Sequence, residues 1–209
     1  TRDLNMQRKS NDALAEMAQR SGGRLQGFCT VDPAGMDAAA CEVERSIDEL
    51  GLIGVKLHPW LQAFSLTHEG MAPIMEAAGN LGVPVMFHDG TPPYSTSRQA
   101  AWLAERYPGT QVILGHAGLA DLWRDAADAA QRLPNLWLQP AGSPPITIRM
   151  ALQGAGPDRL LFGSDGGFAS IGVMRYVIAK YHSAVGQDLT DRAMTDNPNR
   201  LMSYRANKR

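Results

Sequence analysis

The chain has 209 residues, of which 44% are hydrophobic and 20% are charged, so it can bury a core as one globular domain over residues 1–209. Its 20 basic and 21 acidic side chains give a formal net charge of -1, which offers no electrostatic reason to bind nucleic acid or an anionic membrane. Apolar runs all stay below the roughly 18 residues of a membrane span. Cys29 and Cys41 lack metal-site or redox spacing, which favours a reducing compartment, and we predict a cytoplasmic protein.

The first residues, "TRDLNMQRKSND", carry no initiator methionine, no signal-peptide pattern and no strand-like run. An amphipathic helix follows, with Leu14 and Met17 on one side and Asn11 or Asp12 as its predicted N-cap. We interpret this segment as a start in the middle of a domain.

Short apolar runs then alternate with alanine-rich helical segments such as "MDAAACEVERSIDEL" and "MAPIMEAAGNL". The consecutive runs end 24 to 30 residues apart. They are "LQGFCTV" (25–31), "GLIGVKLH" (51–58), "VPVMFH" (83–88), "QVILGH" (111–116), "NLWLQP" (135–140) and "RLLFGSD" (159–165). This repeat predicts an all-parallel sheet with helices outside it.

Polar residues at the ends of these runs distinguish between two parallel folds. A doubly wound nucleotide-binding sheet should carry a glycine-rich turn after its first strand, and the sequence has none in that setting. Lys56 and His58, His88, His116 and Asp165 end four different runs, as functional residues do in a (β/α)8 barrel. We therefore predict an α/β TIM barrel present as about six βα units, without the first two strands.

Six segments in this order resemble one known family. "GFCTVDP", "GVKLHP", "VPVMFHDG", "VILGHAG", "GPDRLLFGSD" and "DNPNRLM" are similar to the amidohydrolase superfamily, in the amidohydrolase-2 branch, over nearly the whole chain. The branch includes hydrolases and nonoxidative decarboxylases. The resemblance implies a metal-dependent enzyme that acts on a small-molecule substrate.

The resemblance also implies roles for three residues. His88 and Asp165 correspond to metal ligands, Asp165 also transfers a proton, and His116 corresponds to a histidine that acts on the substrate as an acid, a base or an electrostatic stabiliser. The H-x-H pair that supplies the other two ligands is absent from these 209 residues. One divalent ion is expected, Zn²⁺ first and Mn²⁺ second, held weakly by the two ligands in this chain.

Strand alternation supports this placement of the site. Asp165, Gly163 and Leu161 should share one face of their strand, with Gly163 leaving room for an ion. By the same rule His116 should share a face with Leu114 and Val112.

Six further residues are predicted to bind substrate. Asp89 has two other readings, orienting His88 or forming an Asp-Gly turn, and packing is the alternative for Trp60. For Lys56 the alternative to lining the site is an ion pair. The set is Lys56, His58, Trp60, Asp89, Tyr94 and Arg98.

The predicted site residues are compatible with two different reactions. We rank hydrolysis of an amide, ester or lactone first and nonoxidative decarboxylation of an aromatic or unsaturated carboxylic acid second. Two other classes stay open. Gly166 and Gly167 after Ser164 could form the loop of a phosphate-binding barrel, and a chain that lacks two ligands could be an inactive remnant or a binding module. The sequence also leaves a homodimer open.

Overall fold

A computed structural model describes residues 3–168 and 170–206. Within them, five short strands form one parallel sheet, and their order in the sheet is their order in the chain. The strands are β1 (Phe28–Cys29), β2 (Gly54–Leu57), β3 (Val85–Phe87), β4 (Val112–Leu114) and β5 (Leu136–Leu138). Leu57 pairs with Phe87, and Phe87 with Leu114, so the carboxyl ends of these strands lie at one edge.

Helices connect and cover the strands. They are α1 (Leu4–Arg20), α2 (Asp37–Asp48), α3 (Pro59–Gln62), α4 (Met71–Leu81), α5 (Ser97–Arg106), α6 (Trp123–Arg132), α7 (Pro145–Ala155), α8 (Ile171–Val185), α9 (Gln187–Met194) and α10 (Asp196–Ala206). The predicted segment "MAPIMEAAGNL" coincides with α4. Neither α7 nor α9 was predicted from the sequence. None of the described helices is long and apolar enough to cross a membrane.

The two faces of the sheet bury different side chains. Val112 and Leu114 of β4 belong to the main core between the sheet and the helices. Ile113, between them, joins Trp137 and Leu161 in a second cluster on the other face. A parallel βα repeat with a separate interior cluster is the construction of a TIM barrel.

The predicted sixth strand is reduced to one bridge, between Leu138 and Leu160. The Leu161 N–H still donates to the Leu138 carbonyl at 2.8 Å, so this segment runs beside β5. The Phe162 N–H instead donates to the carbonyl of Ala193, in the last turn of α9, which ends the ladder. The sheet therefore has five strands where the sequence predicted six, and it is open between β1 and this segment.

The predicted run 25–31 forms only two residues of strand because α1 takes over its exposed edge. The buried Asn11 side chain accepts from the Thr30 N–H at 2.9 Å and donates to the Thr30 carbonyl at 3.1 Å. The prediction of Asn11 or Asp12 as N-cap is therefore wrong, and Asp3 caps α1. Covered in this way, the edge strand does not present free backbone groups at Thr30.

Candidate active site

Three histidines from successive strands meet at the carboxyl edge of the sheet. His58 follows β2, His88 follows β3 and His116 lies just beyond β4. The His58 and His88 rings are stacked with centroids 3.9 Å apart, and the His116 ring meets His88 edge-on at 4.4 Å. The structure therefore brings together three of the residues that the sequence placed at strand ends.

His116 reaches this cluster by a route that strand alternation does not predict. Val112 and Leu114, expected to share its face, point toward the helices, and Gly115 is the inward-facing residue. After Gly115 the chain turns through Ala117 at φ 49°, Gly118 at φ 87° and Leu119 at φ 52°. The turn, rather than the strand, therefore directs His116 toward His88.

Hydrogen bonds fix the tautomers that the histidine pair adopts when both rings are neutral. His116 Nδ1 lies 2.9 Å from the Ala141 carbonyl, which can only accept, so Nδ1 carries a proton. His116 Nε2 lies 2.8 Å from His88 Nδ1. With both rings neutral, His88 donates from Nδ1, and its Nε2 keeps a lone pair.

His88 is suited to remain neutral. Burial, together with the positive charge that His116, His58 and Lys56 can carry, lowers the pKa of His88 to about 3. Burial and the Lys56 charge also lower the pKa of His58. Neutral imidazole is the form that binds a metal ion or accepts a proton.

Lys56 provides the cation of the site. Its ammonium lies over Gly115, where a Cβ would come within 3.2 Å of Nζ. Burial lowers the pKa of Lys56 to about 8, although the charges of Asp89 and Asp165 act against this shift. Lys56 is therefore still mostly protonated near neutral pH, close to two carboxylates.

Asp165 is exposed, in the left-handed region at φ 55°. Its charge acts on Lys56 and on His58, so it lies near the same site. Within the described residues, however, no group of three or more His, Cys, Asp or Glu side chains could hold a metal ion. The residues present do not form a complete metal site, which needs three or four protein ligands.

The space predicted beside Gly163 is filled. A Cβ on Gly163 would lie 2.2 Å from Gln139 Nε2, so the Gln139 side chain occupies this place. The expectation that Gly163 leaves room for an ion is therefore wrong. Gln139 lies two residues after the inward-facing Trp137, and this period could have revealed it.

Two of the other predicted substrate-binding residues, Trp60 and Tyr94, lie near the histidine cluster or in the turn after β3. Trp60 is exposed, with its ring 6.1 Å from that of His58. Tyr94 is half-buried in the turn between Thr91 and Ser95.

Two of the predicted substrate-binding residues are contradicted by the structure. Asp89 is 0% exposed, and its carboxylate accepts from the backbone N–H groups of His116 and Gly118, so it cannot touch substrate. Arg98 forms an ion pair with Asp125 on the outer surface between α5 and α6. Long side chains pair with whatever neighbouring helix they reach, which sequence position alone does not reveal.

Two residues that hold His116 were missed by the sequence analysis. The Ala141 carbonyl accepts from the His116 ring, and the Ser143 hydroxyl donates to the His116 carbonyl at 2.9 Å. Both lie in the loop after β5. Nothing in the string "PAGS" signals this contact, because it depends on how two loops pack together.

The fold and these side chains define a TIM-barrel enzyme with its polar site at the carboxyl ends of the strands. The family model described as amidohydrolase matches residues 3–201. The chain belongs to the amidohydrolase family, a family of metal-dependent enzymes.

Decarboxylases are among the proteins that this chain resembles. The chain is 28% identical to gamma-resorcylate decarboxylase of Polaromonas sp. (strain JS666), over 82% of the chain and 68% of that protein. It therefore spans about two thirds of that relative's length.

Two solved structures share the fold. The 5-carboxyvanillate decarboxylase from Sphingomonas paucimobilis has a TM-score of 0.78 at 19% identity, with 95% of this chain and 72% of that chain covered. A dihydroxybenzoic acid decarboxylase from Polaromonas sp. JS666, with bound manganese and the inhibitor 2-nitroresorcinol, has a TM-score of 0.74 at 22% identity, with 96% and 75% covered.

Proposed function

We propose that the protein is a nonoxidative decarboxylase of a small aromatic carboxylic acid. The observation that carries the proposal is the cluster of Lys56, His58, His88 and His116 at one strand edge, facing Asp165. The decarboxylases among its relatives favour this reaction over hydrolysis, which the sequence analysis ranked first. Family membership also favours a metal-dependent enzyme over a phosphate-binding barrel.

The reaction replaces a carboxylate on the ring by hydrogen. A proton adds to the ring carbon that bears the carboxylate, the bond from that carbon to the carboxylate breaks, and its electron pair returns to the ring as CO2 leaves. We assign the proton transfer to Asp165, which is exposed at the edge of the site. Asp165 then regains a proton from water.

Lys56 and the histidines bind the substrate in this proposal. The Lys56 ammonium supplies the positive charge that an anionic substrate requires. His116 stabilises the charge that develops during proton transfer. His58 and Trp60 lie next to each other beside His88 and His116. In this proposal they contact the aromatic ring of the substrate. Tyr94, in the turn after β3, completes the proposed binding set.

We propose His88 Nε2 and Asp165 as two ligands of one divalent ion. Manganese comes first because a related decarboxylase binds it, and zinc is the alternative. Two ligands do not complete a site, so the steps above are assigned to the protein's own residues.

An assay of CO2 release tests the proposed function. The protein is incubated with Mn²⁺ and either 2,6-dihydroxybenzoate or 5-carboxyvanillate, and CO2 and the decarboxylated phenol are measured. Asp165→Asn should lower kcat by about 10²-fold or more, because Asn cannot transfer the proton. Asp188→Asn, at the exposed start of α9, is the matched control and should retain activity. Hydrolysis of lactones or esters without CO2 release from either acid would contradict the proposal.

A further inference from the structure

Asp89 follows directly after His88, yet its side chain serves a different histidine. Its Oδ1 accepts from the His116 N–H at 2.8 Å, and its Oδ2 accepts from the Gly118 N–H at 2.7 Å. The residue is 0% exposed, so both oxygens are committed to the protein interior. A carboxylate with this pair of backbone donors clamps the segment that carries His116.

This segment needs support because its backbone is strained. Ala117 and Leu119 adopt positive φ angles of 49° and 52°, which side-chain-bearing residues rarely adopt. Gly90 packs directly beneath it, since a Cβ there would lie 2.8 Å from the Leu119 Cβ. Gly90 therefore lets the two loops pack closely, and Asp89 supplies two acceptors where the backbone N–H groups of the turn point.

The carbonyl and the ring of His116 also have hydrogen-bond partners. The Ser143 hydroxyl donates to its carbonyl, and the Ala141 carbonyl fixes its ring at Nδ1. Asp89 supplies the third attachment, at the backbone N–H. With these three in place, His116 Nε2 is directed at His88 Nδ1.

We propose that Asp89 is a positioning residue for His116: its carboxylate holds the 116–118 turn so that the His116 ring keeps its orientation toward His88 and the substrate. The inference rests on the proposed function for the role of His116 in the reaction. It adds a residue that touches neither substrate nor ion and still governs the rate.

The test compares Asp89→Asn with wild type, with Asp125→Asn on the outer surface as the matched control. Asn has the shape of Asp but turns an NH2 group toward one of the two backbone N–H groups. With 2,6-dihydroxybenzoate and Mn²⁺, kcat should fall by about tenfold to 10²-fold, because the reacting groups are misplaced. KM and Mn²⁺ affinity should change by less than about twofold, because binding contacts are kept.

A second readout does not depend on turnover. In protein labelled with ¹⁵N-histidine, the ring signals of His116, assigned with His116→Gln, should report a proton on Nδ1 in wild type. They should shift or broaden in Asp89→Asn and stay unchanged in Asp125→Asn. If wild type shows no decarboxylation, the proposed function fails, and these signals still decide whether Asp89 positions His116.

A different variant guards against loss of folding. Asp89→Ser replaces the two carboxylate oxygens by one hydroxyl, whose proton can rotate away from the backbone N–H groups, so at least one of the two hydrogen bonds is lost. It should give the same changes in the His116 signals and in kcat. Unchanged His116 signals and kcat in the folded variants would overturn the proposal. Failure of both variants to fold would overturn it too, because Asp89 would then serve folding alone.

Discussion

The buried charge of Lys56 lowers the stability of the folded protein. Its ammonium is largely buried, and burial lowers its pKa to about 8. A lowered lysine pKa means that the charged form is less stable in the folded protein than in the unfolded chain. This penalty is fully present below the folded pKa of about 8 and is relieved as the pH rises from there to the unfolded value of about 10.4.

Lys56→Met should therefore separate function from stability. The substitution keeps an unbranched chain of similar length and removes the buried charge, so the free energy of unfolding at pH 7 should rise by about 1 kcal/mol. KM for 2,6-dihydroxybenzoate should rise by about tenfold or more, because the cation that pairs with the acid is lost. Urea unfolding and steady-state kinetics measure the two effects. A less stable variant with unchanged KM would contradict the binding role of Lys56.

Between elements, α1 and α2 are joined by a buried carboxylate. Glu42 of α2 is 0% exposed and accepts from Asn11 and Arg45 at 2.8 Å each, and from Arg8 at 3.2 Å. Burial alone would raise the pKa of Glu42, but the hydrogen bonds from Arg45, Asn11 and Ser46 outweigh burial and lower it. The ionised form is therefore the stable one in the folded protein.

Glu42→Gln should destabilise the protein at neutral pH by about 2–4 kcal/mol, because buried donors lose a charged acceptor. A lowered folded pKa gives stability that is present above the unfolded value of about 4.3 and is lost as the pH falls through the folded pKa. The difference between wild type and variant should thus shrink below pH 4. Urea unfolding at pH 7 and pH 3.5 measures it, and a difference that is equal at both would contradict this assignment.

Helix α10, the last helix described, contacts α2 and the loop that precedes β2. Arg205 of α10 donates to the backbone carbonyls of Ile47 and Leu52, at 3.0 and 3.3 Å. Leu201 of the same helix packs in the interior cluster with Ile113 and Trp137. Helix α10 therefore links the end of the sheet to α2 and the start of β2.

Arg205→Ala should lower the free energy of unfolding by about 1–3 kcal/mol, since two buried carbonyls lose a charged donor. Arg20→Ala, which breaks an exposed pair with Glu16, should change it by less than about 1 kcal/mol. Thermal unfolding of both variants tests the difference. Equal effects would show that α10 does not depend on Arg205 for its position.

At the scale of the whole molecule, the number of metal ligands in the chain predicts how tightly it binds a divalent ion. His88 and Asp165 are two donors, and binding weakens with each missing ligand. The 209-residue chain should therefore bind Mn²⁺ or Zn²⁺ with a dissociation constant above about 10 µM, which corresponds to less than about 7 kcal/mol. Titration calorimetry measures this affinity. Nanomolar binding that survives His88→Ala would show that the ion is held elsewhere.

The sequence by itself determined the βα order, the parallel sheet and the residues at the strand ends. These features follow from local patterns, because burial selects apolar runs of strand length and the helices between them have their own period. The ends that carry Lys56, His58 and His88 belong to neighbouring runs, and in the structure β2 and β3 pair side by side. The resemblance to the amidohydrolase family, carried by six short segments, was likewise readable from the chain and is confirmed.

Only the tertiary structure decided how the site is supported. Alternation put His116 with Leu114, but a strained turn held by Asp89 redirects it. Gln139 fills the space beside Gly163, and α1 takes the backbone bonds of Thr30 that a longer β1 would use. Each of these contacts joins residues from different βα units. Their partners are chosen by the packing of whole elements, and a pattern within one segment carries no information about that choice.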